Sequence, residues 1–325
     1  MNLQTSEKQQ GIRIGDLTVL ALPNTEILSQ RKHQFLARLY RVTETPHFLV
    51  CQKASSVQIV VMHVFTQHEI DADLICFVED ELSPFRIFTS AKAYGSTLFA
   101  VLASTFPSPR NQGAVWHLFC LNSLEKFRHL LSCPPQKYST LISHITSFAE
   151  IYRRVFELYC GQSFLDVGSS FGFLPILLAQ NSDLSHIVAC DNNPDILNIS
   201  SEVAAVTDAQ HIAFTCQDVL TEDFASIGRF DTVTAIHVLE HVTEQQLRIA
   251  LAHLLQVTAQ RLIIAVPYEE NIQTEYSHYQ TFTQEKLATC GKWCIEMLKG
   301  KGRYWCEEVM GGMLVVEPSQ EKENT

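Results

Sequence analysis

The run Phe164-Leu-Asp166-Val-Gly168-Ser-Ser170-Phe-Gly172 places an acid and two glycines at the junction of two apolar stretches. That order fits a buried strand, a turn and the start of a helix. Glycine lets a backbone approach a ligand closely in such a turn, and Asp166 just before it can anchor a polar group. Nineteen residues after Gly172, Asp191 closes the next apolar stretch, with Asn192 beside it. A carboxylate in that position suits the paired hydroxyls of a ribose. Asp218, followed by Val219, closes a third stretch, where an adenine amino group could be read.

A second constellation is His237-Val-Leu-Glu240-His241. On a helix, His237 and His241 would share a face with Glu240 adjacent, a geometry able to hold a divalent metal such as Mg2+. The same residues could equally cap a helix and wall the cofactor site. A neutral imidazole also suits removal of a proton from a hydroxyl. His241 is the first candidate for that base, His278 in Tyr276-Ser-His278-Tyr279 the second, and His237 the third. His63, His68 and Glu69, by contrast, read as surface residues on a strand and its following loop.

Other chemistries use the same letters. Gly168-x-Ser170-x-Gly172 also satisfies the nucleophile elbow of α/β-hydrolases, with Ser170 as nucleophile. Such an enzyme needs several sheet strands before its elbow, whereas this is the first strand of its region, and the hydrolase reading leaves Asp166 and Asp191 without a role. His237-x-x-Glu240-His241 matches the zinc-peptidase pattern H-x-x-E-H. A protein that binds a cofactor without turnover is a further possibility of a different class.

For these residues to meet, the chain around them has to alternate strand and helix. Ser163–Val167, His186–Cys190, His211–Cys216, Asp231–Ile236 and Arg261–Val266 read as short buried strands, and Phe173–Gln180, Asp195–Val206 and Glu244–Val257 as helices. The alternation implies an α/β, Rossmann-like doubly wound sheet with ligands outside the carboxyl ends of its strands. Cys294–Val309 and Met313–Glu317, around Gly311-Gly312, read as antiparallel strands at the sheet edge. Upstream, Cys133-Pro-Pro-Gln-Lys137 breaks the chain, and a helix from about Thr140 to Tyr159 has Ile145, Phe148, Ile151, Tyr152, Val155, Phe156 and Tyr159 at three- and four-residue spacing. We therefore expect a strand-rich α+β domain over 1–137, with no assigned role, and the Rossmann-like domain over 138–325. Expected strands in the first are Ile12–Leu22, His47–Cys51, Val57–Phe65, Leu74–Val78 and Val115–Leu121, with a turn cluster from Ser104 to Gly113.

Charge narrows the partners. Residues 1–150 hold 13 Lys and Arg against 12 Asp and Glu, while residues 151–325 hold 11 against 23. An acidic catalytic half argues against nucleic acid, which is bound by neutralising phosphates. No apolar run is long enough to span a bilayer, so no membrane partner is expected. A polar Met1–Lys8 stretch and ten scattered cysteines without C-x-x-C spacing lead us to expect reduced thiols in a cytoplasm. Cys290 and Cys294 read as packing residues of one helix face. The sequence does not set the oligomeric state.

Taken together, Asp166-x-Gly168-x-x-x-Gly172, Asp191, Asp218 and Phe230-Asp-Thr-Val233 resemble the ordered motifs of class I S-adenosylmethionine-dependent methyltransferases, over about residues 140–317. The family often has glycine where this chain has Ser170. The resemblance implies S-adenosylmethionine as cofactor, held by Asp166, Gly168, Ser170, Gly172, Asp191, Asn192, Asp218, Val219 and His237. The stretches 166–175, 231–241 and 264–270, with His278-x-x-Thr281-Phe282 and Gly311–Val315, are similar to methyltransferases of mycofactocin oligosaccharides. That similarity implies methylation of a hydroxyl on a small molecule or glycan.

Overall fold

The computed structural model describes residues 11–22, 40–53, 57–88, 90–107, 112–133, 143–272 and 277–319. The chain divides into two compact units, Met1–Ser123 and Leu124–Thr325. The expected break at 134–137 and the first residues of the helix expected from Thr140 lie outside the described residues, as do residues 108–111 of the turn cluster and the Met1–Lys8 stretch.

The first unit carries a five-stranded sheet of β1 (Ile12–Ile14), β2 (Leu17–Ala21), β3 (Arg41–Glu44), β4 (Leu49–Gln52) and β5 (Ile59–His63), in the order β1-β2-β5-β4-β3. β2 and β5 run parallel and the other neighbours antiparallel. The expected strand Ile12–Leu22 is a hairpin instead, because Gly15 turns with φ +55° and pairs Ile14 with Leu17. Two expected strands are helices. Leu74–Val78 lies in α1 (Asp73–Leu82), whose buried Leu74, Val78 and Leu82 recur every four residues. Val115–Leu121 lies in α3 (Gln112–Ser132), with Val115 and Phe119 buried at the same spacing. A short apolar run has no period of its own, and its neighbours decide between strand and helix. Between them, α2 (Ala91–Ser104) starts at Ser90, whose side chain accepts from the Ala93 amide. His68 and Glu69 are exposed, as expected. His63 is not: it is 2% exposed, its Nε2 lies 2.7 Å from Ser104 Oγ, and burial pushes the imidazole down to about 4.

The second unit follows the strand–helix alternation: α4 (His144–Leu158), β6 (Ser163–Val167), α5 (Phe173–Asn181), β7 (His186–Asp191), α6 (Pro194–Val206), β8 (Ile212–Cys216), β9 (Phe230–Ile236), α7 (Glu244–Val257), β10 (Thr258–Val266), α8 (Gln284–Met297), β11 (Gly302–Glu308) and β12 (Gly312–Pro318). The seven strands lie in the order β11-β12-β10-β9-β6-β7-β8. β6 to β10 are parallel, and β12 pairs antiparallel with both β10 and β11. This is a Rossmann-like α/β sheet with an antiparallel edge. Its parallel strands are covered on both faces, so Phe164, Leu165, Val233, Ile263 and Ile264 are fully buried, each worth about 1.5–3 kcal/mol relative to exposure. One edge strand begins later than expected. Cys294 belongs to α8, where it is buried with Cys290, and β11 starts only at Gly302, after Gly300 turns the chain at φ +77°. Among the described residues, no helix is long and apolar enough to cross a membrane.

Candidate active site

Strand order reverses between β6 and β9, which are neighbours although the chain visits β7 and β8 between them. The loops leaving the carboxyl ends of these two strands meet there, where open α/β sheets bind ligands. Gly168 and Gly172 take φ +69° and +71°, a left-handed region that suits glycine. Contact enforces glycine again at Gly168, since a Cβ there would come within 2.5 Å of Val238 Cγ2 in the loop after β9.

Asp191, at the end of β7, is fixed on both oxygens. Oδ2 accepts from the Ser170 amide and Oδ1 from the Asn193 amide, both at 2.9 Å. Ser170 itself has φ +48°, and its carbonyl accepts from Ser200 Oγ. Asp218 Oδ1 accepts from the Leu220 amide at 2.9 Å, and the Val219 side chain is buried while its carbonyl accepts from His253. Outside the ends of β7 and β8 lies an open groove of about 700 Å³ lined by Asn192, Asn193, Cys216, Gln217, Asp218 and Thr221. Cys216 is the exposed member of the ten cysteines, all of them free. Asp166 sits apart from this surface. It is 4% exposed within β6, it accepts from Thr234 Oγ1 of β9 at 2.6 Å, and burial lifts its carboxyl to about 7.

The loop after β9 departs from expectation. His237 has φ +53°, and the 3-10 turn Leu239–His241 follows, so residues 237–241 are not on an α-helix. His237 packs its ring against Phe148 at 4.8 Å, and its Nδ1 lies 3.4 Å from Glu240 Oε1. Burial, helped by His144, His278 and His241, pushes its imidazole down to about 3. Glu240 is fully buried, neither carboxylate oxygen has a hydrogen-bond partner, and burial with the charge of Glu269 lifts it to about 8. His241 is also held below the ordinary histidine value, by desolvation first and then by His278.

The structure brings Glu240 and His241 together with His278, whose ring lies 4.8 Å from that of His241. Buried Gln280 ties the two segments by donating to the carbonyls of Leu239 and Val242, and the Tyr279 amide donates to the Glu240 carbonyl. Glu269, which sequence reasoning passed over, lies with Oε2 2.9 Å from His278 Nδ1. Its only signal was a pair of acids soon after β10.

The two competing chemistries find little here. Among the described residues, no histidine bonds the Ser170 hydroxyl, and the loop's polar backbone is spent on Asp191 and Ser200. The H-x-x-E-H stretch is a turn rather than the helix that pattern needs.

Residues 164–261, the part carrying both loops, match the methyltransferase domain family. That stretch of the C-terminal unit is similar to methyltransferase domains. No curated protein matches the chain. Among solved structures, the methyltransferase domain of bacterial CtHen1-C is 17% identical, with a TM-score of 0.43, over 52% of this chain and 95% of that one. Magnesium protoporphyrin IX methyltransferase of Synechocystis PCC 6803 is 16% identical, TM-score 0.39, over 60% and 91%. An O-methyltransferase family protein of Burkholderia thailandensis is 12% identical, TM-score 0.42, over 78% and 95%. The residues present fit S-adenosylmethionine: a turn with no room for a Cβ at Gly168, a carboxylate fixed at its rim, and a polar groove beyond.

Proposed function

We propose that this methyltransferase moves the methyl group of S-adenosylmethionine to a hydroxyl of a small molecule or an oligosaccharide. The observation that carries the reading is the cluster of Glu240, His241 and His278 set against the glycine turn through Val238. A hydroxyl is a poor nucleophile until its proton is drawn away, so it needs groups of this kind. An ionised carboxylate needs none. The motif similarity to oligosaccharide methyltransferases and the acidic C-terminal half, unsuited to nucleic acid, point the same way.

The donor supplies an electrophilic methyl on a sulfonium. Asp191 would accept hydrogen bonds from the ribose hydroxyls, Asn192 and Asp218 would face the groove side, and the 168–172 backbone would approach the donor closely, with Asp166 and Val219 supporting from below. When bound, the donor would supply its methyl to the acceptor oxygen with the sulfur as leaving group, and His241 would stand where the hydroxyl proton leaves. Much of the barrier is met by holding acceptor oxygen and methyl in line.

Donor carrying a labelled methyl, incubated with polyols and oligosaccharides, carboxylic acids, amines and RNA, tests this. Label in an alkali-stable methyl ether is the expected result. Label in an alkali-labile ester, an amine or RNA would overturn it, and donor binding with no transfer to any acceptor would mark a non-catalytic protein.

A further inference from the structure

We infer that Glu240, His241 and His278 are the ligands of a divalent transition-metal ion, with Glu269 orienting one of them. One donor atom from each of the three lies within 4.8 Å of the others. Atoms bound to one ion at about 2.0–2.2 Å stand about 3–4 Å apart, so small side-chain shifts close the set.

Three independent features of the site support the assignment. Glu240 is 0% exposed and neither oxygen has a hydrogen-bond partner, with His237 Nδ1 no nearer than 3.4 Å, an arrangement that a bound cation would satisfy. Both imidazoles turn Nδ1 toward an acceptor, His241 to the Ser277 carbonyl at 3.2 Å and His278 to Glu269 at 2.9 Å. That places the proton on Nδ1 and the lone pair on Nε2, the tautomer a metal requires, and an imidazole backed by a carboxylate is the usual outer-shell arrangement. Finally, the two ligand-bearing segments are locked in register by Gln280 and the Tyr279 amide.

The donor set also selects the ion. Two imidazole nitrogens and one carboxylate oxygen favour zinc, ferrous iron or a similar ion over Mg2+, which prefers an all-oxygen shell and keeps its waters. Three protein ligands leave coordination positions open, the mark of a working site rather than a structural one. When bound, such an ion would act as a Lewis acid toward a hydroxyl oxygen of the acceptor, and no change of oxidation state is involved. The inference deepens the proposed function by naming how the hydroxyl is activated: His241 then holds the ion, and the hydroxyl proton passes to water.

The test is binding of Co2+ and Mg2+ to the full chain after chelation, read by calorimetry and by the visible absorption of Co2+, with donor affinity and circular dichroism as controls on folding. We expect one Co2+ per chain, bound at least tenfold more tightly than Mg2+. Affinity should fall at least tenfold in Glu240→Gln and in His278→Ala, and by about 10–100-fold in Glu269→Gln, with donor affinity kept. Equal Co2+ binding by the wild type and these variants, or tighter binding of Mg2+, would overturn the site. The two readings fail separately: tight Co2+ binding without transfer to any hydroxyl sinks the proposed function alone, and chelator-insensitive methyl-ether formation without metal binding sinks this inference alone.

Discussion

On the side of the site where the donor is proposed to bind, after β6, β7 and β8, the three aspartates each have partners within the protein: Asp166 with Thr234, Asp191 with two backbone amides, and Asp218 with the Leu220 amide. On the other side, after β9 and β10, Glu240 lies fully buried with no hydrogen-bond partner, among His237, His241 and His278. A carboxylate held by fixed amides is a pre-oriented acceptor whose aim does not change when a ligand arrives. A buried carboxylate among imidazoles is the reverse, because its charge state depends on what approaches. The first suits a constant cofactor and the second suits handling a proton.

The sharpest way to break this division is His241→Ala. Turnover should fall by about 10²–10⁴-fold, the usual worth of a group that assists proton loss, while calorimetry finds donor affinity unchanged. A parallel loss of donor affinity would mean that the two sides are not separate. Next in size is Asp191→Ala, which should weaken S-adenosylmethionine binding at least about tenfold, since charge-assisted hydrogen bonds are worth about 1.5–3 kcal/mol each. Unchanged affinity would remove Asp191 from the donor side.

Asp166 gives a smaller effect, read as stability. Burial lifts its carboxyl from 3.8 to about 7, against the Thr234 hydrogen bond and with the Asp191 charge adding. The folded chain therefore holds this proton more tightly than the unfolded one, and the group's contribution is lost as pH rises from about 4 through about 7. Asp166→Asn should narrow the gap between melting temperatures at about pH 5 and about pH 8, and an unchanged gap would show that the carboxyl is not raised. The smallest effect belongs to Ser170→Gly. With φ already +48°, glycine fits without strain, so methyl transfer should stay near the wild-type rate and a fluorophosphonate should leave the wild type unlabelled. Stoichiometric labelling at Ser170 would instead restore the nucleophile-elbow reading.

Much of the second unit was legible in the sequence, because strands covered on both faces are short apolar runs between periodic helices, and β6 to β10 each show one. The first unit was less so. Leu74–Val78 carries β-rich letters, and only the wider spacing of Leu74, Val78 and Leu82 distinguishes a helix. β3 (Arg41–Glu44) is a polar strand with no buried residue and no apolar pattern. In the site, Gly168, Asp191 and Asp218 were visible because backbone geometry constrains their types. The turn at 237–241 was not, since H-x-x-E-H is compatible with a helix and nothing marks the positive φ of His237. Glu269 was invisible as a partner of His278, because nothing in their nine-residue spacing marks the direct contact between them.

Cys216 has a consequence of another kind. The thiols of Cys51, Cys190, Cys290 and Cys294 are raised to about 11–12, chiefly by burial, and a protonated, covered thiol is a slow nucleophile. Cys216 is exposed, on the wall of the groove beside Asp218. Cys216 is thus the thiol most open to an alkylating reagent, and anything seated in the groove stands in its way. Under the proposed function, slowing of the Cys216 adduct, read by mass, gauges donor occupancy with no isotope, no acceptor and no turnover.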